Sequence, residues 1–177
     1  PKWCEKIFNG EKTIEVRKIA PKLETPFKVY VYCTKAQHKP NDWLYHLPND
    51  RTLYFGANAR DVSFVREEGD FRNGMVIGEF VCDEIIEDNR GENADVFSKY
   101  ALLSLDEQKR YGANKPLYGL HITAPKLYDT PKELEVFWTV RCTNKTGECE
   151  TCEVKPACIS NVTRPPQSWM HIGEIKE

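Results

Sequence analysis

The chain holds 177 residues, of which 40% are hydrophobic and 29% charged, and its formal net charge is −2. That length suits a single domain able to build a core without disulfides, and 10 Gly with 11 Pro exclude collagenous or disordered character. No apolar run approaches the roughly 18 residues of a membrane span, Pro1 to Lys6 lack an apolar signal core, and the overall charge excludes a globally basic nucleic-acid binder. A cytoplasmic protein with no membrane partner is the expectation.

Charge is nevertheless uneven. Residues 1–22 carry six bases against three acids, and residues 75–110 carry nine acids against four bases. The N-terminal end therefore offers positive potential on an acidic body.

In chain order, residues 1–9 read as a short helix with Trp3, Cys4, Ile7 and Phe8 on one stripe, stopped at Asn9-Gly10. Thr13 to Arg17 alternates: Ile14 and Val16 point one way, Thr13, Glu15 and Arg17 the other. Pro21 and Pro26 bound a loop, and Phe27 to Thr34 is a strand. Residues 35–74 change character, with short β-type pieces at 52–55 and 62–65, and read as a long excursion from the core. Met75 to Ile86 is the longest strand signal. Ala94 to Arg110 is helical, with Ser104 capping a second turn-like helix from Leu105 to Tyr111 that stops at Gly112. Leu117 to Thr123 is a strand, Pro131 to Phe137 a helical turn, and Ser168 to Ile172 a last strand. Strands that do not alternate regularly with helices imply an α+β fold around a small barrel.

The seven cysteines divide by spacing. Cys4, Cys33 and Cys82 are isolated and read as small buried apolar residues. Cys142, Cys149, Cys152 and Cys158 form C-x6-C-x2-C-x5-C around a polar loop that has no core of its own. Four thiolates complete a tetrahedral, structural Zn2+ site, and metal binding would supply the folding energy such a loop lacks. Two disulfides, unpaired thiols and an iron–sulfur cluster are the rival readings, the first disfavoured by the absence of a visible secretion signal. His171 reads as a strand residue and not as a ligand.

Gly10-Glu11-Lys12-Thr13-Ile14-Glu15-Val16-Arg17 after a short helix resembles the G-x-K-x-x-E-x-R signature of ASCH domains. Val76-Ile77-Gly78-Glu79-Phe80 with Cys82-Asp83-Glu84, then Tyr118 to Ile122, then Arg164-Pro165-Pro166-Gln167-Ser168-Trp169, resemble that family's order. The resemblance covers most of the chain except 35–74 and is nearest to the zinc-loop-bearing bacterial and phage-type members. It implies one PUA-like β-barrel domain over 1–177 with flanking short helices, an insertion at 35–74 and a zinc loop at 142–158. It also implies a strand ahead of Pro1. For function it implies RNA or nucleotide binding, and some ASCH proteins are ribonucleases or amidohydrolases of acetylated cytidine.

The residues suit that reading. Arg17 offers a planar fork for a phosphate or a base edge, Lys12 a mobile point charge, and Glu15 an acceptor for a base amino group. Lys12, Thr13, Glu15 and Arg17 form one constellation; Arg164, Ser168 and Trp169 form a second, with Trp169 as a stacking platform. The competing readings are a surface ion pair for the first and a barrel plug for Trp169. Lys12 and Glu15 are also an acid/base pair for an enzyme in the same cleft. The resembling amidohydrolases carry Thr two residues before the motif's Arg, where this chain has Glu15, so their nucleophile is replaced. A third reading makes 35–74 a surface for a protein partner.

Overall fold

The computed structural model describes residues 2–34, 43–46, 53–56, 70–71, 74–89, 91–113, 115–140, 159–166 and 169–174. It is α+β and divides into two compact units, Pro1–Pro131 and Lys132–Glu177.

The first unit is built on a four-stranded antiparallel sheet. Helix α1 (Lys2–Phe8) comes first. It ends where the sequence stops it, with Gly10 at φ 82° supplying the left-handed turn. The Lys12 amide then donates to the Lys6 carbonyl at 2.8 Å, closing the chain back on the helix. Strand β1 (Ile14–Arg17) follows, then β2 (Phe27–Tyr32).

Strands β3 (Trp43–His46), β4 (Leu53–Gly56) and β5 (Asp70–Phe71) form a separate three-stranded sheet in the order β4-β3-β5. Within the excursion the described residues 43–46, 53–56 and 70–71 are strands, β4 covering 53–55 of the 52–55 piece; the 62–65 piece lies outside the described residues.

Strand β6 (Val76–Asp88) pairs antiparallel with β2, and β7 (Leu117–Lys132) pairs antiparallel with β1, in the sheet order β1-β7-β6-β2. Both β6 and β7 run past their expected ends at Ile86 and Thr123. β7 continues through Pro125 and Pro131, two sites without a backbone N–H to donate.

The alternation of β1 is realised: Ile14 and Val16 are buried, Glu15 and Arg17 half-buried. Glu15 lies opposite Leu120 and Arg17 opposite Tyr118, whereas Val16 lies opposite Gly119. Directly paired residues share a face, so Glu15 sits on the same side as Leu120. Leu120 belongs to the larger core, with Cys4 and Ile7 of α1, Val31, Cys33, Ile77, Phe80 and Cys82. Ile14 and Val16 belong to a second core with Phe97, Ala101 and Leu117. The three isolated cysteines are buried thiols outside any disulfide, in the first of these clusters.

The helical stretch splits in two, α2 (Ala94–Tyr100) and α3 (Leu105–Gly112). Between them Leu102 takes φ 58°, a left-handed conformation unusual for a bulky residue. The Ser104 hydroxyl accepts from the Glu107 amide while the Glu107 carboxylate accepts from the Ser104 amide, a reciprocal cap that starts α3. Gly112 is the last helical residue rather than the stop; Ala113 takes the left-handed cap at φ 48°.

The second unit holds a 3-10 turn at Leu134–Val136 and a small antiparallel sheet in the order β10-β8-β9: β8 (Phe137–Val140), β9 (Ile159–Asn161) and β10 (Gly173–Glu174). Phe137 and Val162 are buried in it, and the Thr139 hydroxyl donates to the His171 carbonyl at 3.0 Å. The last strand thus begins after the expected 168–172 segment. Gly173 pairs opposite Trp138, at a close approach where a Cβ would run into the Trp138 indole.

Candidate binding cleft

The edge strand β1 places Glu15 and Arg17 side by side on the flank of the larger core. The Arg17 guanidinium donates to Glu15 Oε1 at 2.8 Å, and Lys12 Nζ lies 3.4 Å from Glu15 Oε2. Lys12 is the most enclosed of the three, at 2% exposure. Its Nζ donates to the Ala101 carbonyl at 2.9 Å and lies 5.1 Å from the centre of the Trp3 ring. A buried ammonium with a carboxylate, a carbonyl and an aromatic face around it is a satisfied cation. Burial still pushes the Lys12 amine below its ordinary value of 10.5, a push that the Glu15 carboxylate partly opposes. Thr13 contributes backbone, donating to the Tyr100 carbonyl at 2.9 Å and accepting from the Ile122 amide at 2.8 Å.

Lys12, Glu15, Val16 and Arg17 line a cleft of about 430 Å3. This is within the size of pockets that take small molecules. Trp3 of α1 closes it on one side. Leu103, Glu107, Arg110 and Tyr111 close it on the other. Three of the expected residues therefore come together in one cavity; Thr13 is not in its lining.

Arg164 and Trp169 lie in the second unit, Arg164 exposed and Trp169 half-buried. Trp169 packs edge-on against the His171 ring, with centroids 5.1 Å apart. Neither lines the cleft of the first unit. Ser168 and the four clustered cysteines, Cys142, Cys149, Cys152 and Cys158, lie outside the described residues. Among the described residues no group of three or more His, Cys, Asp or Glu side chains is arranged to hold a metal.

Sequence reasoning missed the far wall. Trp3 sits on the apolar stripe of α1 and reads as core, yet Cys4 and Ile7 take the buried positions and leave it half-buried at the cleft. Arg110 and Tyr111 fall in the last turn of the expected Leu105–Tyr111 helix, with nothing there to mark them as cleft residues. The available signal was the Ser104-x-x-Glu107 cap, which fixes where α3 begins and hence which residues end it.

No protein-family model matches the chain, and no curated protein matches it significantly. No described helix is long and apolar enough to cross a membrane.

Proposed function

We propose that the cleft of the first unit binds RNA or a nucleotide through Lys12, Glu15 and Arg17. The observation that carries this is the linked row Lys12–Glu15–Arg17, held at 3.4 and 2.8 Å and opening into a cavity that also exposes aromatic rings. Cations with planar donors fit phosphate and base edges, a carboxylate accepts from base amino groups, and rings stack on bases. The resemblance of residues 10–17 to the ASCH signature supports the same reading, as does a sheet and short-helix composition compatible with a PUA-like barrel. Within it, Arg164, Ser168 and Trp169 act as further nucleic-acid contacts and the protein is cytoplasmic.

Fluorescence anisotropy with labelled oligoribonucleotides, and calorimetry with mononucleotides, test the cleft. Lys12→Ala and Arg17→Ala are expected to weaken binding, with affinity falling as salt rises; unchanged affinity in both variants rejects it.

One observation favours an enzyme in the same cavity. The Lys12 amine, lowered by burial and beside Glu15, is a candidate to exchange protons with a bound substrate. Turnover of labelled RNA or of acetylated cytidine, lost in Lys12→Met, would establish it; no turnover of either retires both chemistries.

The reading also assigns a structural Zn2+ to Cys142, Cys149, Cys152 and Cys158. Metal analysis of the purified protein is expected to give close to one zinc per chain, and its absence removes the assignment.

A further inference from the structure

Arg17, Lys18 and Arg110 differ from Lys12 in one respect that bears on the ligand. Lys12 is buried, its ammonium against Glu15 and the Ala101 carbonyl. Arg17 bonds Glu15 through one terminal nitrogen, and its side chain keeps 31% of its exposure. Arg110 lines the cleft, is exposed, and makes no ion pair with any described carboxylate. On its own helix, the acid that shares the lining with it is Glu107, whose Oε2 accepts from the Ser104 amide and hydroxyl at 2.8 Å each at the start of α3. Lys18 is exposed, and its Nζ lies 4.7 Å from the centre of the Tyr111 ring, the neighbour of Arg110 on the lining.

The cavity is therefore graded. Its enclosed part holds a carboxylate and a buried cation that satisfy each other, beside the Trp3 ring. Its more exposed lining holds Arg17 and Arg110, and Lys18 lies outside the lining against the Tyr111 ring. A neutral, donor-bearing ring suits the first and a dianion suits the second.

We propose that the cleft takes a nucleoside carrying a terminal phosphate monoester, base inward, with its phosphate held at the mouth by Arg17, Arg110 and Lys18. This rests on the binding reading above and narrows it to one ligand class. A free mononucleotide and the phosphorylated end of an RNA share that chemistry.

The test is isothermal titration calorimetry of the full chain with each of the four ribonucleosides and its 5′-monophosphate. Parallel titrations use one short oligoribonucleotide with a 5′-phosphate and with a 5′-hydroxyl. The phosphorylated member of at least one pair is expected to bind about tenfold tighter or more, the scale of a charge-assisted bond. Which pair responds identifies the source. In Arg110→Gln and Lys18→Gln that advantage shrinks, the phosphorylated member losing more affinity than the unphosphorylated one. Lys109→Gln, an exposed base on the same helix outside the lining, leaves both unchanged. Equal affinity within every pair, or an advantage that survives both variants, overturns the phosphate site and leaves the cleft reading standing. Binding by none of the compounds overturns both.

Discussion

Two lysine–glutamate pairs form in the same stretch of chain and have opposite fates. Lys6 and Glu11 bond across the turn after α1, with side chains 27% and 52% exposed. Lys12 and Glu15 meet at the start of β1, with side chains 3% and 16% exposed. The residue types are the same and the spacing differs by little. The first pair holds two mobile side chains in water, where the attraction is screened and the ordering costs entropy. The second has lost its water, so its remaining partners decide whether it is tolerable. The Ala101 carbonyl and Arg17 are those partners. The second pair lines the cleft, and Lys6 and Glu11 are not among its lining residues.

The largest test of this contrast is Lys12→Ala. It strands the Ala101 carbonyl, removes the apolar stem beside Trp3 and leaves Glu15 with Arg17 alone. Urea unfolding is expected to show a loss of about 2–4 kcal/mol. Lys12→Met, which keeps the stem, should lose less stability while still losing ligand affinity. If Lys12→Ala is as stable as wild type, the pair is no more structural than its exposed neighbour.

Next comes Gly78→Ala, which attacks the helix that carries both Lys6 and Trp3. A Cβ at Gly78 would lie 2.5 Å from Phe8 Cζ and against the Lys126 carbonyl. Pushing Phe8 off the sheet is expected to cost about 1–3 kcal/mol, the scale of overpacking, and to weaken ligand binding through displacement of Trp3. Chemical denaturation read alongside ligand titration checks both.

The pH dependence is smaller and separates buried groups by sign. The native Lys12 amine sits below 10.5 because burial disfavours its charge. Between its lowered value and 10.5 the unfolded chain holds a proton that the native chain has released, so this group's contribution to stability rises with pH through that window. The Cys82 thiol behaves oppositely: burial pushes it up to about 11 from 9.0. Its contribution is present below 9.0 and lost as the pH rises through about 11. Wild type should therefore gain on Lys12→Met as the pH approaches 10.5 and lose ground to Cys82→Ala over 9.0 to 11. Denaturation at stepped pH measures both, and the same slope in the two comparisons would refute the assignment.

Smallest is Lys6→Ala. It removes the exposed partner of Glu11, whose carboxyl is held below its usual range by bonds from Lys6 and Asn9. The melting temperature is expected to match wild type within error. A drop comparable to that of Lys12→Ala would erase the contrast between the pairs.

What was legible beforehand follows the reach of each signal. Gly10 ends α1, β1 alternates, β2 and β6 are strands, and Ser104 caps α3, as these residues lead one to expect. The linking turn was not legible, because left-handed Leu102 obeys no local preference. Nor were the ends of β6 and β7, because a paired strand extends as long as its neighbour supplies hydrogen bonds.

The candidate site divides the same way. Lys12, Glu15 and Arg17 could be chosen from a few consecutive residues, since strand alternation puts Glu15 and Arg17 on one face and the turn brings Lys12 beside them. That Lys12 would be buried against Ala101, 89 positions away, and that α3 would bring Arg110 and Tyr111 to the opposite wall, is written in no local pattern. Periodicity and caps act over one or two turns of chain and are fixed by the sequence there. Burial is set by whichever distant segment the sheet brings alongside, and that only the tertiary structure decided.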